Sequence, residues 1–509
     1  MRLAITLIIK MKRITSLVFA VAVALVALAQ PARPKLVVGI VVDQMRWDYM
    51  HYYHDRFNDG GFDRLLAEGY SCNNCIIDYV PTVTACGHAS IYTGSTPAFH
   101  GIAGNSYFIH GKHVSSVQDD DAVTIGSATT AGRRSPRNLL ATTIGDELRL
   151  ATSFNSRVYG VALKDRASIL PAGHAANGAF WYDRKGGCFI TSNYYMQQLP
   201  PYVQAFNSRH AEVMKTNLNN TPEGVSLTFE LATEVLKNER LGQTGATDML
   251  AISVSSTDMI AHTYGTRSPE TDAAYIRLDH ELAKFLKTLD ATVGKGNYLL
   301  FLSADHGGTN NYQYSASHHI PTGGWAYWTD AMKKSMDDES MRRFGLPFNK
   351  IIKDVNEYSI YLNNEAIDSA GLDREKVKKE AIKILLLQDD VDRVVDIENI
   401  QTEPVPQPLK ERILKGFHCE RSGELFLVLK PGRYAGENEK PGSNHGTWSN
   451  DDSHIPMVFM GWHVPHGETA RPTGMTDIAA TVCALLHIQM PSACIGTPVL
   501  EITESPANK

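Results

Sequence analysis

The 509-residue chain lacks a hydrophobic run long enough to cross a bilayer. Its longest, Leu17 to Ala29, is about 13 residues, whereas a helix needs roughly 20 to span ~30 Å of hydrocarbon, so no stable membrane anchor is expected. It also lacks an excess of positive charge. Lys plus Arg number 49 and Asp plus Glu 55, a formal charge of −6, so no basic field gathers nucleic acid, and a nucleic-acid partner is excluded. There are no internal repeats. With 39 Gly and 23 Pro, the composition excludes collagen-like, disordered and coiled-coil classes. Cysteine is sparse, and seven leave at least one thiol without an intrachain partner. Cys72 and Cys75 have C-x-x-C spacing without a second such pair, which reads as a local disulfide or two buried thiols rather than a zinc or redox motif. What is present is 43% hydrophobic residues, enough for a full core, and 19 His that make metal chemistry worth seeking.

Lys12 and Arg13 precede the Leu17–Ala29 run, which closes on Ala27-Leu28-Ala29 before Gln30. That pattern predicts a cleaved secretory signal with cleavage after Ala29, translation from Met1 or Met11, and a periplasmic or secreted mature protein. Beyond it, Lys35 to Val42 is a β-branched apolar run ending at Asp43, as expected of a strand buried on both faces. Similar runs are Met249 to Val254, Tyr298 to Leu302 and Ile455 to Met460. Helical periods at Asp272 to Leu289 and Thr476 to Leu486 alternate with them, predicting an α/β fold with a mainly parallel central sheet flanked by helices. Ligands in such sheets bind beyond the carboxyl ends of the strands, where Asp43, Asp258 and Asp305 fall. The segment 320–442 reads differently, with a basic amphipathic helix at Asp373 to Leu387 and strands at Tyr358 to Leu362 and Glu424 to Leu429. The expected organisation is a signal peptide at 1–29, a catalytic core at 30–319 and 443–500, an inserted cap at 320–442, and a flexible tail at 501–509. A monomer is expected.

Three clusters have metal-ligand spacing. Asp258 and His262 lie one helical turn apart, Asp305-His306 sits at a strand end, and Asn444-His445-Gly446 offers one imidazole. With Asp43 they make six ligands, which divide into two sites of three, each keeping an open position. Imidazole and carboxylate suit zinc and are also compatible with manganese or iron. Two such metals about 4 Å apart form a clamp for in-line phosphoryl displacement.

Pro81-Thr-Val-Thr-Ala-Cys-Gly-His88 supplies a nucleophile, because Thr84 falls just before a helix expected to begin near Cys86. A free threonine hydroxyl is a poor nucleophile. A bound zinc and the positive helix terminus would favour its alkoxide. The competing reading of Thr84 alone is a helix cap.

Val42-Asp43-Gln44, Pro81-Thr-Val-Thr84 with Gly87-His88, Asp258-x-x-x-His262, Asp305-His306-Gly307 and His445-Gly446 run in the order found across the alkaline phosphatase superfamily, which the chain resembles. Gly101-Ile-Ala-Gly-Asn105 resembles the phosphate-binding segment of its threonine-nucleophile members, among them the nucleotide pyrophosphatase/phosphodiesterases. Lys164-Asp165-Arg166, Pro171-Ala-Gly-His174 and Phe180-Trp-Tyr-Asp183 look like the phosphate-irrepressible alkaline phosphatases specifically. The resemblance implies an alkaline-phosphatase-like sandwich, with Thr84 forming a phospho-threonine intermediate. It implies two zinc ions, one held by Asp258, His262 and His445, the other by Asp43, Asp305 and His306 with the Thr84 oxygen. Asn105, Lys164 and Arg166 would bind phosphate oxygens, making small-molecule phosphate monoesters the substrates and a phosphodiesterase the alternative. The sulfatase Cys-x-Pro-x-Arg pattern is absent at Cys86, and His88, His174, His318 and His319 are left as structural or solvent-facing.

Overall fold

The computed structural model describes residues 32–505 apart from 59 and 326–328. The expected signal peptide lies outside the described residues. Ten strands form the main sheet in the order Gly467–Thr469, Tyr70–Cys72, Met457–Gly461, Tyr298–Ser303, Leu36–Val42, Asp248–Val254, Val158–Ala162, Gly178–Asp183, Cys188–Ser192, Thr124–Ile125. Its centre is parallel. Leu36–Val42 pairs with Asp248–Val254 on one side and Tyr298–Ser303 on the other, and all three are wholly buried. That double burial is why they read as continuous apolar runs rather than alternating ones. The run expected from Ile455 to Met460 becomes Met457–Gly461 and lies antiparallel to Tyr298–Ser303. An apolar run carries no direction; the connection made by residues 304–456 decides it.

Helices Pro222–Asn238 and Pro269–Thr292 present apolar faces to this core, including Leu231, Val235, Leu278, Leu282 and Leu286. Ser268 caps the longer helix by accepting the Thr271 N–H, and Pro269 occupies its first position, where no N–H is needed. A second sheet is antiparallel throughout, in the order Ile352–Asn356, Ser359–Leu362, Leu425–Leu429, Val391–Asp396. Helix Arg374–Leu385 buries Val377, Ala381, Ile384 and Leu385 in this sheet's own apolar cluster, which Val80 also joins. Val80 directly precedes the Pro81–Thr84 segment, so the small sheet packs against the candidate site.

Residues 501–505 differ from the frayed tail expected. Leu500–Thr503 is a helical turn, Ile502 is fully buried in the main core, and Glu501 pairs with Arg471 at 2.9 Å. A buried apolar side chain contributes about 1.5–3 kcal/mol, which with the ion pair opposes fraying of an otherwise polar end.

Candidate active site

The three central strands deliver acids to one place. Asp43 follows the Leu36 strand directly, Asp305 lies two residues past the Tyr298 strand, and Asp258 sits in helix Ser256–Tyr264 after the Asp248 strand. Thr84 is the first residue of helix Thr84–Thr93, two positions earlier than the sequence suggested, with extended Val83 as its cap. Every residue of that helix is buried. Gly87 makes this possible, because a Cβ there would lie 2.1 Å from the Asp305 carbonyl oxygen. Gly87→Ala is therefore expected to displace the helix and cost about 1–3 kcal/mol of stability, read as a lower thermal midpoint. An unchanged midpoint would show that the helix can yield without loss.

The last histidine arrives through loop pairing. Gly307 and Gly308 N–H groups donate to Asp452 and Asp451 carbonyls, and Thr309 N–H donates to the Asn444 carbonyl. Ser443 N–H donates to the Ala261 carbonyl, which places His445 beside His262 with ring centroids 5.1 Å apart. His445 also stacks on His306 at 3.6 Å.

Each of these imidazoles contacts a carbonyl through Nδ1: His262 that of Ser443 at 2.9 Å, His306 that of Gly307 at 2.9 Å, His445 that of Thr82 at 2.7 Å. Nδ1 must then carry a proton, leaving Nε2 to face the carboxylates. Burial holds His306 and His445 below the usual imidazole range, hence neutral, as a ligand must be, whereas the Asp258 charge outweighs burial and holds His262 above it, so a cation binding there would displace its Nε2 proton.

Asp43 Oδ1, Asp258 Oδ1 and Asp305 Oδ2 are buried and, among the described residues, meet no hydrogen bond of ordinary geometry. Asp258 Oδ1 is 3.0 Å from His262 Nε2 and 3.5 Å from His445 Nε2. Asp43 Oδ1 and Asp305 Oδ2 are each 3.5 Å from His306 Nε2. Ligand atoms of Asp258, His262 and His445 lie within 4.8 Å of one another, as do those of Asp43, Asp258 and His306. Orphaned carboxylate oxygens facing imidazole Nε2 atoms are a donor set fit for divalent cations. In the second group Asp258 stands where the sequence reading had Asp305, whose free oxygen lies 3.3 Å from His88 Nδ1.

Burial and the Asp305 charge push the Asp43 carboxyl well up. Burial opposes the Asp258 charge too, but His262 and Lys164 outweigh it and hold that carboxyl well below its usual range. Lys164 Nζ is 2.6 Å from Asp43 Oδ2, 2.6 Å from Asp258 Oδ2 and 3.3 Å from Thr84 Oγ1. Thr84 Oγ1 is also 3.4 Å from His306 Nε2. Asn105 Oδ1 accepts the Ala85 N–H at 3.0 Å, at the mouth of the Thr84 helix. Arg166 follows Lys164 at the start of helix Asp165–Ala172, its Nε buried without a partner. Asn105, Lys164 and Arg166 are partly buried, whereas Asp43, Thr84, Asp305 and His306 are at most 1% exposed, so the first three form the mouth and the others the floor.

Other residues settle into supporting places. The Thr82 hydroxyl donates to the Thr447 carbonyl at 2.9 Å, and the Cys86 thiol, pushed up by burial, donates to the Ile102 carbonyl. His88 bridges the Thr84 carbonyl and Ser253 Oγ, and His318 and His319 are exposed. Cys72 and Cys75 are buried free thiols. Sequence reasoning missed Glu357, whose Oε1 accepts from Asn105 Nδ2 at 2.6 Å. Burial lifts its carboxyl to about 7 against the opposing pull of the Asn105 bonds and Arg166.

A sheet parallel at its centre, with a threonine at a buried helix start, acids at strand ends and inward-facing imidazoles, fits a class of hydrolase, and a family model agrees. The model for type I phosphodiesterase / nucleotide pyrophosphatase matches residues 37–453, and the chain belongs to that family, on its alkaline phosphatase branch. Alkaline phosphatase PafA of Elizabethkingia meningoseptica is 40% identical over 92% of this chain and 94% of that protein. A Myroides odoratus protein named a calcium-transporting ATPase is 42% identical over 93% of this chain and 95% of its own. Among the described residues no helix is long and apolar enough to cross a membrane. The crystal structure of wild-type alkaline phosphatase PafA superposes with a TM-score of 0.88 and 39% identity, covering 93% of this chain and 99% of that one. A variant of that phosphatase with a threonine, an asparagine, a lysine and an arginine substituted together matches equally, at TM-score 0.88.

Proposed function

We propose that the protein hydrolyses small-molecule phosphate monoesters with two zinc ions, passing through a phospho-threonine intermediate on Thr84. The observation that carries this reading is the placement of Thr84 Oγ1 at a helix start, 3.3 Å from Lys164 Nζ and 3.4 Å from His306 Nε2. The four residue types substituted together in the related phosphatase, in the same chain order, are those of Thr84, Asn105, Lys164 and Arg166.

Asp258, His262 and His445 would hold one ion, and Asp43, Asp305 and His306 the other, with Asp258 near enough to serve both. Bound zinc would favour the ionised hydroxyl and polarise the phosphoryl oxygens. The chain's own groups do the rest. Lys164 and Arg166 supply fixed positive charge to the non-bridging oxygens, the Asn105 amide donates to one of them, and the Thr84 helix N-terminus adds partial positive charge. The Thr84 oxygen displaces the alcohol, and water then releases phosphate from Thr84. The basic n-region and apolar run before Gln30 support export to the periplasm or beyond.

Protein purified without chelator is expected to hold about two zinc ions per chain, falling towards one in His445→Ala, because two ligands alone seldom retain zinc at an open site. Metal analysis reads this, and undiminished zinc in that variant would remove His445 from the ligands. Turnover of an aryl phosphate against its methyl diester tests the substrate class; preference for the diester would turn the reading to a phosphodiesterase.

A further inference from the structure

The hairpin joining Ile352–Asn356 to Ser359–Leu362 turns on two residues, Glu357 and Tyr358, with Asn356 paired to Ser359 across it. Both have positive φ, 49° and 71°. That is type I′ backbone, which favours Asn and Gly, so a glutamate and a tyrosine there are strained and need the surroundings to hold them. Those surroundings are the site. Glu357 Oε2 accepts the Asn105 backbone N–H at 2.9 Å and Oε1 accepts from Nδ2 at 2.6 Å. Gly104 keeps the approach open, since a Cβ there would lie 2.5 Å from Oε2. Tyr358 packs over Gly446, beside His445, where a Cβ would lie 2.9 Å from its ring.

These contacts fix the orientation of the Asn105 amide. Oδ1 must face the helix because it accepts the Ala85 N–H, and the NH2 group must face the carboxylate. One Nδ2 hydrogen is spent on Glu357, which leaves one for substrate. We propose that Glu357 is a positioning residue that acts through Asn105, aiming that remaining N–H at a phosphoryl oxygen. The proposal rests on Asn105 being a phosphate ligand. A carboxylate is required, because both Asn105 partners are donors; a glutamine could accept from one and would turn its own NH2 against the other.

The test is a double-mutant cycle on kcat/KM for an aryl phosphate, in zinc-loaded full-length protein, with thermal midpoint and metal content measured alongside. Glu357→Ala is expected to lose about ten- to a hundredfold, the range of a hydrogen bond to a charged group, and Glu357→Gln to fall as well. Added to Asn105→Ala, Glu357→Ala should cost less than about twofold more, with zinc unchanged. Wild-type kcat/KM in Glu357→Ala would overturn the proposal. So would an equal loss in both backgrounds, which would mean that Glu357 supports the fold at large. If Glu357→Ala does not fold, Glu357→Gln carries the same cycle. Wild-type activity in Asn105→Ala itself would remove the phosphate-ligand reading, a failure visible without any Glu357 variant.

Discussion

Thr84→Ala is expected to lose at least about 10³-fold in turnover and all covalently held phosphate, while Thr82→Ala and Cys86→Ser stay within about tenfold of the parent, near 1.4 kcal/mol. The three side chains are close in sequence but not in chemistry. Only the Thr84 hydroxyl faces both Lys164 and His306. The Thr82 hydroxyl is committed to the Thr447 carbonyl, although its own carbonyl accepts from His445 and so survives the substitution. Cys86 points at Ile102, and burial keeps its thiol protonated, so it cannot compete as a nucleophile. Acid quenching after exposure to labelled phosphate reads the intermediate directly. Label retained on Thr84→Ala protein would identify another nucleophile.

The floor of the site was legible in the sequence because it lies where the strands end. A strand buried on both faces reads as an unbroken apolar run, so the first acid beyond it marks the carboxyl edge of the sheet, as with Asp43 and Asp305. Asp258 and His262 follow from helical spacing alone, four residues apart on one face. His445 was legible as a candidate imidazole, but its grouping with Asp258 and His262 came only through the resemblance, since a long insertion separates it from Asp305 and its approach depends on loop pairing to residues 307–309.

What was not legible depends on contacts between distant segments. Glu357 sits in a two-residue turn that carries neither Asn nor Gly, so no turn signature marks it. Its partner Asn105 is 252 residues away. The place of Asp258 between the two ligand groups was equally hidden, because spacing along a chain assigns a carboxylate to one neighbour at a time. The same holds for Lys164. The resemblance implied a phosphate-binding cation, yet its ammonium also lies 2.6 Å from carboxylate oxygens of both Asp43 and Asp258.

That dual placement shapes the expectation for Lys164 and Arg166. A monoester dianion carries one more charge than a diester monoanion, so two fixed cations reward the monoester most. At roughly 1.5–3 kcal/mol for each hydrogen bond to a charged group, the pair supplies about 3–6 kcal/mol, or on the order of 10²–10⁴ in monoester kcat/KM. The double variant Lys164→Ala with Arg166→Ala should therefore fall steeply on an aryl phosphate and much less on its methyl diester. The single variants should separate two effects. Among the described residues Arg166 has an ion pair with Asp165, at 3.8 Å, and none with a candidate ligand carboxylate. Arg166→Ala therefore reads phosphate binding without disturbing the candidate ligand carboxylates. Lys164→Ala also removes a cation from between Asp43 and Asp258, which leaves those carboxylates more exposed to each other's charge and more in need of a divalent ion. Zinc affinity in Lys164→Ala is thus expected to hold or rise, measured by competition with a chelator, while its monoester activity drops. If zinc were lost from Lys164→Ala, the lysine would be stabilising the ligand arrangement. Should monoester and diester instead fall by one factor with both metals present, neither cation would be reading the extra charge, and the preference for monoesters would have to arise elsewhere in the mouth of the site.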